Sequence, residues 1–233
     1  MDKNWISYEI FIVFKVLTDP LIFCKFAGNT FSMKAIIIFS LIFSNLLYSQ
    51  IKVPDDYKKI PDILDTVDYL YPFIVPDKEY QYWRVLSNDA DYEKAVLYES
   101  QAPDFMTINE PAPEKGFFQK CVGNNCFSYI LACKKERSVY FSTEQQLRDF
   151  IGTVDNLPEA ILLAKTYGYS VDTSNRFTGA YKIEDRHISL YVMQSKGCPV
   201  TKESFLVKIN RKTGKLEAKS NGIYSKNEDC SVL

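Results

Sequence analysis

The chain has 233 residues, 46% hydrophobic and 24% charged, with 28 Lys and Arg against 29 Asp and Glu. That balance excludes a collagenous, a wholly disordered or a multi-span membrane protein and predicts one globular domain. A net charge of -1 gives no general attraction to nucleic acid, and no local basic patch supplies one, so nucleic acid is not an expected partner.

A targeting signal begins at Met33. Lys34 supplies a positive start, Ala35 to Leu47 an uncharged apolar core of 13 residues, and Tyr48-Ser49 precedes a polar stretch. Cleavage after Ser49 leaves Gln50 as the first mature residue and predicts a secreted or periplasmic protein. Uncleaved, the 17-residue uncharged run from Ala35 to Ile51 would be a membrane anchor of minimal length. A signal belongs at the amino terminus, so residues 1–32 read as a non-native upstream extension and Met33 as the start of translation. Within that extension Asp2, Glu9, Lys15, Asp19 and Lys25 break the apolar runs and Pro20 interrupts any long helix. Bulky Leu21, Ile22 and Phe23 ahead of Cys24 give no lipidation signal. Residues 33–49 are therefore expected to be a signal peptide and 50–233 a single secreted domain.

Over 52–72 the spacing of Ile63, Leu64, Val67 and Leu70 or Tyr71 predicts a helix with Pro61 in its first turn. Asp62, Asp65 and Asp68 would share a face there. A cation site is one reading, and acidic residues answering the helix dipole are the simpler one. Tyr80, Tyr82 and Val85 alternate with Gln81 and Arg84 around Trp83 as a strand, and Lys94 to Tyr98 reads as another. Asp89, Asp91 and Glu93 between them resemble the start of a calcium loop. Lys94 stands where that loop needs Gly and Ser100 where it needs a bidentate Glu, so a polar hairpin tip is expected.

Pro103, Pro111 and Pro113 mark a long loop near 100–116. Cys126 to Cys133 and Ser138 to Phe141 form a hairpin about the charged residues Lys134 to Arg137. Ser142 or Thr143 then caps a helix, with Gln145 completing a capping box from Ser142 and Leu147, Phe150, Ile151 and Val154 as its buried stripe. Asn156 caps a second helix that has Pro158 in its first turn, apolar residues at 160–164 and Gly168 as its stop. Its apolar residues nearly surround the axis, which predicts cover on more than one side. Ala180 to Met193 reads as one long strand, and Phe205, Val207 and Ile209 as a strand turning at Arg211 to Gly214 into Leu216 and Ala218. The fold class expected is α+β, a mainly antiparallel sheet packed against two or three helices.

Few residues invite catalysis. His187 is the single His, which excludes a multi-His metal site within one subunit, and no cofactor motif occurs. Gly168-Tyr169-Ser170-Val171-Asp172 lacks the last Gly of a nucleophile elbow. A thiol-dependent enzyme or redox protein pairing Cys133 with His187 is the alternative to a non-enzymatic binding or inhibitory protein. An exported chain is expected to use cysteines as disulfides. Cys121 and Cys126 flank a Gly-Asn turn and can pair, although either can pair with Cys133 instead. Cys198 and Cys230 are expected to be joined, against a reading in which Cys230 is free on a frayed terminus. Tyr69, Tyr71, Phe73, Tyr80, Tyr82 and Trp83 could line a sugar or peptide groove or fill a core.

From about Leu157 to Lys219, an apolar helix, a long strand and the run VKINRKTGKLEAK with its turn Asn210 to Leu216 resemble a PepSY-type module. That resemblance implies a non-catalytic extracytoplasmic module that acts as an inhibitor or binding domain. Its partner would be an extracytoplasmic protein or peptide, with membrane contact only through an uncleaved signal.

Overall fold

A computed structural model describes residues 51–89, 92–101, 111–118, 126–134 and 137–227. The chain divides into two units, Met1–Gln50 and Ile51–Leu233, and every described residue lies in the second. The expected extension and signal segment, Pro103, Cys121 and Cys230 lie outside the described residues. Among the described residues no helix is long and apolar enough to cross a membrane.

A short strand β1 (Lys58–Lys59) leads into three successive 3-10 turns, Asp62–Asp65, Val67–Tyr69 and Tyr71–Phe73, in place of the α-helix expected over 52–72. The reason lies in the spacing and in Thr66. Leu64, Val67 and Leu70 are buried and recur every third residue, the 3-10 repeat, while Ile63 is 59% exposed. Thr66, extended at φ -85° and ψ 121°, breaks the run between the first two turns. Asp62, Asp65 and Asp68 therefore share no continuous helical face, and Asp62 ion-pairs with Lys59 at 2.7 Å. Among the described residues no group of three or more His, Cys, Asp or Glu could hold a metal.

Strands β2 (Tyr82–Asp89), β3 (Tyr92–Glu99), β4 (Phe127–Lys134) and β5 (Arg137–Phe141) make an antiparallel sheet in the order β3-β2-β4-β5. The period of two divides its side chains. Trp83, Val85, Ile130 and Ala132 enter the main core, and Tyr82, Leu86, Phe127, Tyr129, Leu131 and Cys133 form a second cluster on the opposite face. The nearly unbroken apolar run of β4 is that of a central strand covered on both faces. β2 and β3 pair antiparallel as far as Asp89 opposite Tyr92, and the polar tip expected between them, with Asp91, lies outside the described residues.

Two helices follow, α1 (Glu144–Ile151) and α2 (Leu157–Lys165). The cap of α1 is Thr143, whose Oγ1 accepts from Gln146 N–H at 3.2 Å, and Gln146 Oε1 accepts from Ser142 N–H at 2.8 Å. The cap thus sits at Thr143 with Gln146, one residue later than Ser142 with Gln145, and the Gln146 side chain reaches past the cap to Ser142. Leu147, Phe150, Ile151 and Val154 are buried as the stripe predicts. The Phe150 ring meets Tyr80, Trp83 and Phe141 at 5.3, 5.3 and 4.9 Å and so seats α1 on the four-stranded sheet. Asn156 caps α2, with Glu159 completing a capping box, and every residue from Leu157 to Ala164 is buried.

The second sheet has the order β1-β6-β7-β8-β9, with β6 (Ala180–Ile183), β7 (His187–Lys196), β8 (Val200–Asn210) and β9 (Leu216–Asn227), all antiparallel. The single strand expected over Ala180 to Met193 is a hairpin. Charged Glu184, Asp185 and Arg186 form its turn, closed by Glu184 N–H donating to His187 O at 2.8 Å. Ile188, Leu190, Val192, Val207 and Ile209 face the helices and share one core with α1, α2 and the inner face of the other sheet. The result is α+β, two antiparallel sheets and two helices sharing one core. The β8–β9 turn is pinned to the helix connection, because Arg211 donates to Val154 O at 3.2 Å and Asp155 O at 3.0 Å.

Candidate functional site

The end of α2 makes the site by reversing the chain. Gly168, at φ +83°, lets Tyr169 N–H reach back to Ala164 O at 3.2 Å, after which Ser170 pairs with Met193 of β7 through two 2.8 Å hydrogen bonds. The reversal leaves an open hollow between the first turn of α1 and the last turn of α2. Its volume is about 750 Å³, within the range of small-ligand sites.

One wall is set by an unusual backbone. Phe117 is fully buried and bridged to Ser128 of β4, while the next residue, Phe118, adopts φ +55°, the left-handed region that bulky residues avoid. Among the described residues it is the one non-glycine with positive φ. Its ring lines the hollow, with Lys165 Nζ 5.8 Å from the ring centroid. Strain of this kind clusters where side chains are held for binding. Tyr169 supplies the second aromatic wall and is fixed edge-on against Phe205 at 5.2 Å. Burial, with a smaller contribution from Glu203, pushes the Tyr169 phenol up.

Arg148 projects from α1 into the same space. Its Nη2 donates to Gln145 Oε1 at 2.7 Å, its Nη1 to Thr166 O at 3.4 Å, and its guanidinium lies 4.5 Å above the Tyr167 ring. Its Nε is buried without a hydrogen-bond partner. Beyond Lys165 a side crevice holds Asp65, whose carboxyl is raised by burial first and then by Asp172, with Lys165 opposing. The lining of the main hollow offers charge at Glu144, Arg148 and Lys165, hydroxyls at Thr143, Thr166, Tyr169 and Ser170, and the aromatic faces of Phe118 and Tyr169.

The residues singled out from sequence are scattered. Cys133 stands in β4 within the outer-face cluster, a free buried thiol 3.9 Å from Ser138 Oγ. His187 opens β7 in the other sheet, opposite Asn210, so the two are not brought together. Cys126 and Cys198 are half-cystines, and no two described cysteines are joined to one another. Of the aromatic series, Tyr71, Tyr82 and Trp83 are buried while Tyr69 and Phe73 are exposed. Tyr82 belongs to the outer cluster and Trp83 to the main core, so the series forms no single platform. Sequence reasoning missed Phe118 and Arg148, and it weighed Gly168-Tyr169-Ser170 only as a nucleophile elbow. The one local signal was Gly168 as a helix stop. No family model, curated protein or solved structure matches this chain.

Proposed function

We propose that the chain is an exported, non-enzymatic binding protein whose ligand occupies the hollow between α1 and α2. The observation that carries this reading is a ligand-sized cavity walled by strained Phe118 and by an arginine stacked on Tyr167. Export is supported by the segment Lys34 to Ser49, by the half-cystines and by the division of the chain at Gln50, where cleavage would release the mature domain. A PepSY-like role for 157–219 is supported by the order of α2, β6, β7 and the β8–β9 hairpin turning at Arg211 to Gly214.

The test is a thermal-shift survey of the full chain against small organic molecules and short peptides, repeated on Ser170→Phe, which fills the hollow. Ligands of the site raise the melting temperature of the native protein and leave the filled variant unmoved. Equal shifts in both, or none with any compound, would remove the hollow from consideration.

A further inference from the structure

We infer that this hollow takes a ligand with an anionic head, a carboxylate or a phosphate, joined to a flat apolar body. The inference rests on the hollow being the ligand seat, and Arg148 carries it. The guanidinium is held by Gln145 Oε1, Thr166 O and the Tyr167 ring, all neutral. No carboxylate of the described residues forms an ion pair with it. Arg148 is thus a half-buried cation with a buried, unsatisfied Nε and no ion pair, and a planar anion is what its fork matches. Lys165 differs in feeling the nearby Asp65.

The surroundings agree. Thr143, Glu144 and Gln145 line the hollow at the start of α1, where the first N–H groups have no intrahelical acceptor, and Thr143 Oγ1 satisfies only that of Gln146. Glu144 brings a negative charge to the wall and Asp65 faces Lys165 from the side crevice, so the attraction for an anion comes from the fork of Arg148 and not from an excess of positive charge. Phe118, Tyr169 and Val67 offer two aromatic faces and an aliphatic one for the body of the ligand.

The experiment is a set of NMR titrations of the full chain with benzoate, phenyl phosphate and N-acetylphenylalanine against neutral benzamide and N-acetylphenylalaninamide and cationic benzylamine. The acids should shift resonances of Phe118, Tyr169 and the first turn of α1, bind at least tenfold tighter than their amides, and weaken as salt is raised. Stronger binding of N-acetylphenylalanine than of benzoate would identify a peptide carboxyl terminus as the source of the anion, and the reverse a free aromatic acid. Arg148→Gln should lose tenfold or more with its spectrum otherwise native, and Arg148→Lys should lose less; if Arg148→Gln does not fold, Arg148→Lys and the salt dependence decide. Amides or benzylamine binding in the hollow as tightly as the acids would overturn the anionic head and leave the binding site standing. Silence from every probe at these residues would overturn both.

Discussion

Glu159 has no exposed surface, yet it carries a carboxylate with no cation beside it among the described residues. Its oxygens accept from Val75 N–H at 2.6 Å, Asp155 N–H at 2.6 Å and Asn156 N–H at 3.3 Å, and Asn156 Nδ2 donates in turn to Phe73 O at 2.9 Å. One side chain thereby fastens the last 3-10 turn to the start of α2. Removing it strands up to three backbone donors, so Glu159→Ala should lower the unfolding free energy by about 2 to 5 kcal/mol in urea titrations. Burial raises the Glu159 carboxyl and outweighs the N–H donors that pull it down. The folded protein then holds this proton more tightly than the unfolded chain. The resulting stabilisation is complete below the ordinary glutamate pKa and is lost as pH rises through the elevated folded value. Glu159→Gln cannot titrate, so the stability advantage of the native protein over it should be greatest in acid and shrink toward neutrality. An advantage that grows with pH would show that the three donors outweigh burial.

At the level of elements, the helices are the parts whose ends are written locally. Asn156, Pro158 and Glu159 start α2, and Gly152 at φ +63° ends α1. A Cβ on Gly152 would lie 2.4 Å from Asp77 Cβ, so Gly152→Ala should cost roughly 1 to 3 kcal/mol, whereas Gly197, with nothing within 4 Å, should accept alanine almost without effect. Thermal denaturation of the two variants side by side would check the contrast. Because α2 is covered on all sides, Leu162→Ala should cost about 2 to 5 kcal/mol. The two misread elements have physical causes. Leu64, Val67 and Leu70 fit a three-residue repeat as well as a helical one, and only the extended backbone of Thr66 tells them apart. The run from Ala180 to Met193 hid a turn because Glu184 to Arg186 carries no Gly or Pro, the usual punctuation.

For the whole molecule, the period-two strands and capped helices made α+β legible, whereas the division into two sheets sharing one core with the helices was not, since it depends on contacts between residues distant in sequence. The candidate site is of the same kind. Phe118, Arg148 and Tyr169 come from a loop, a helix and a reversal, and nothing local to any of them announces the others. The cysteines provide a test at this scale. Cys198 lies in the exposed β7–β8 connection and is a half-cystine, while Cys133 is free and buried. We expect non-reducing peptide maps of protein from the export route to join Cys198 to Cys230 and Cys121 to Cys126, in a product whose intact mass begins at Gln50. Cys133 should react with iodoacetamide far more slowly before unfolding than after it, because it is only 6% exposed within the cluster of Tyr82, Leu131 and Tyr129. Closing the chain between Cys198 and Cys230 should stabilise the fold by roughly 3 to 4 kcal/mol through the entropy of the unfolded chain, a large share of a domain's usual 5 to 15 kcal/mol. Reduction should therefore lower the urea midpoint and make Cys198 open to alkylation in the folded state, while Cys133 stays protected. Alkylation of Cys230 in folded, unreduced protein would dissolve that bridge and leave Cys198 to be assigned to another partner.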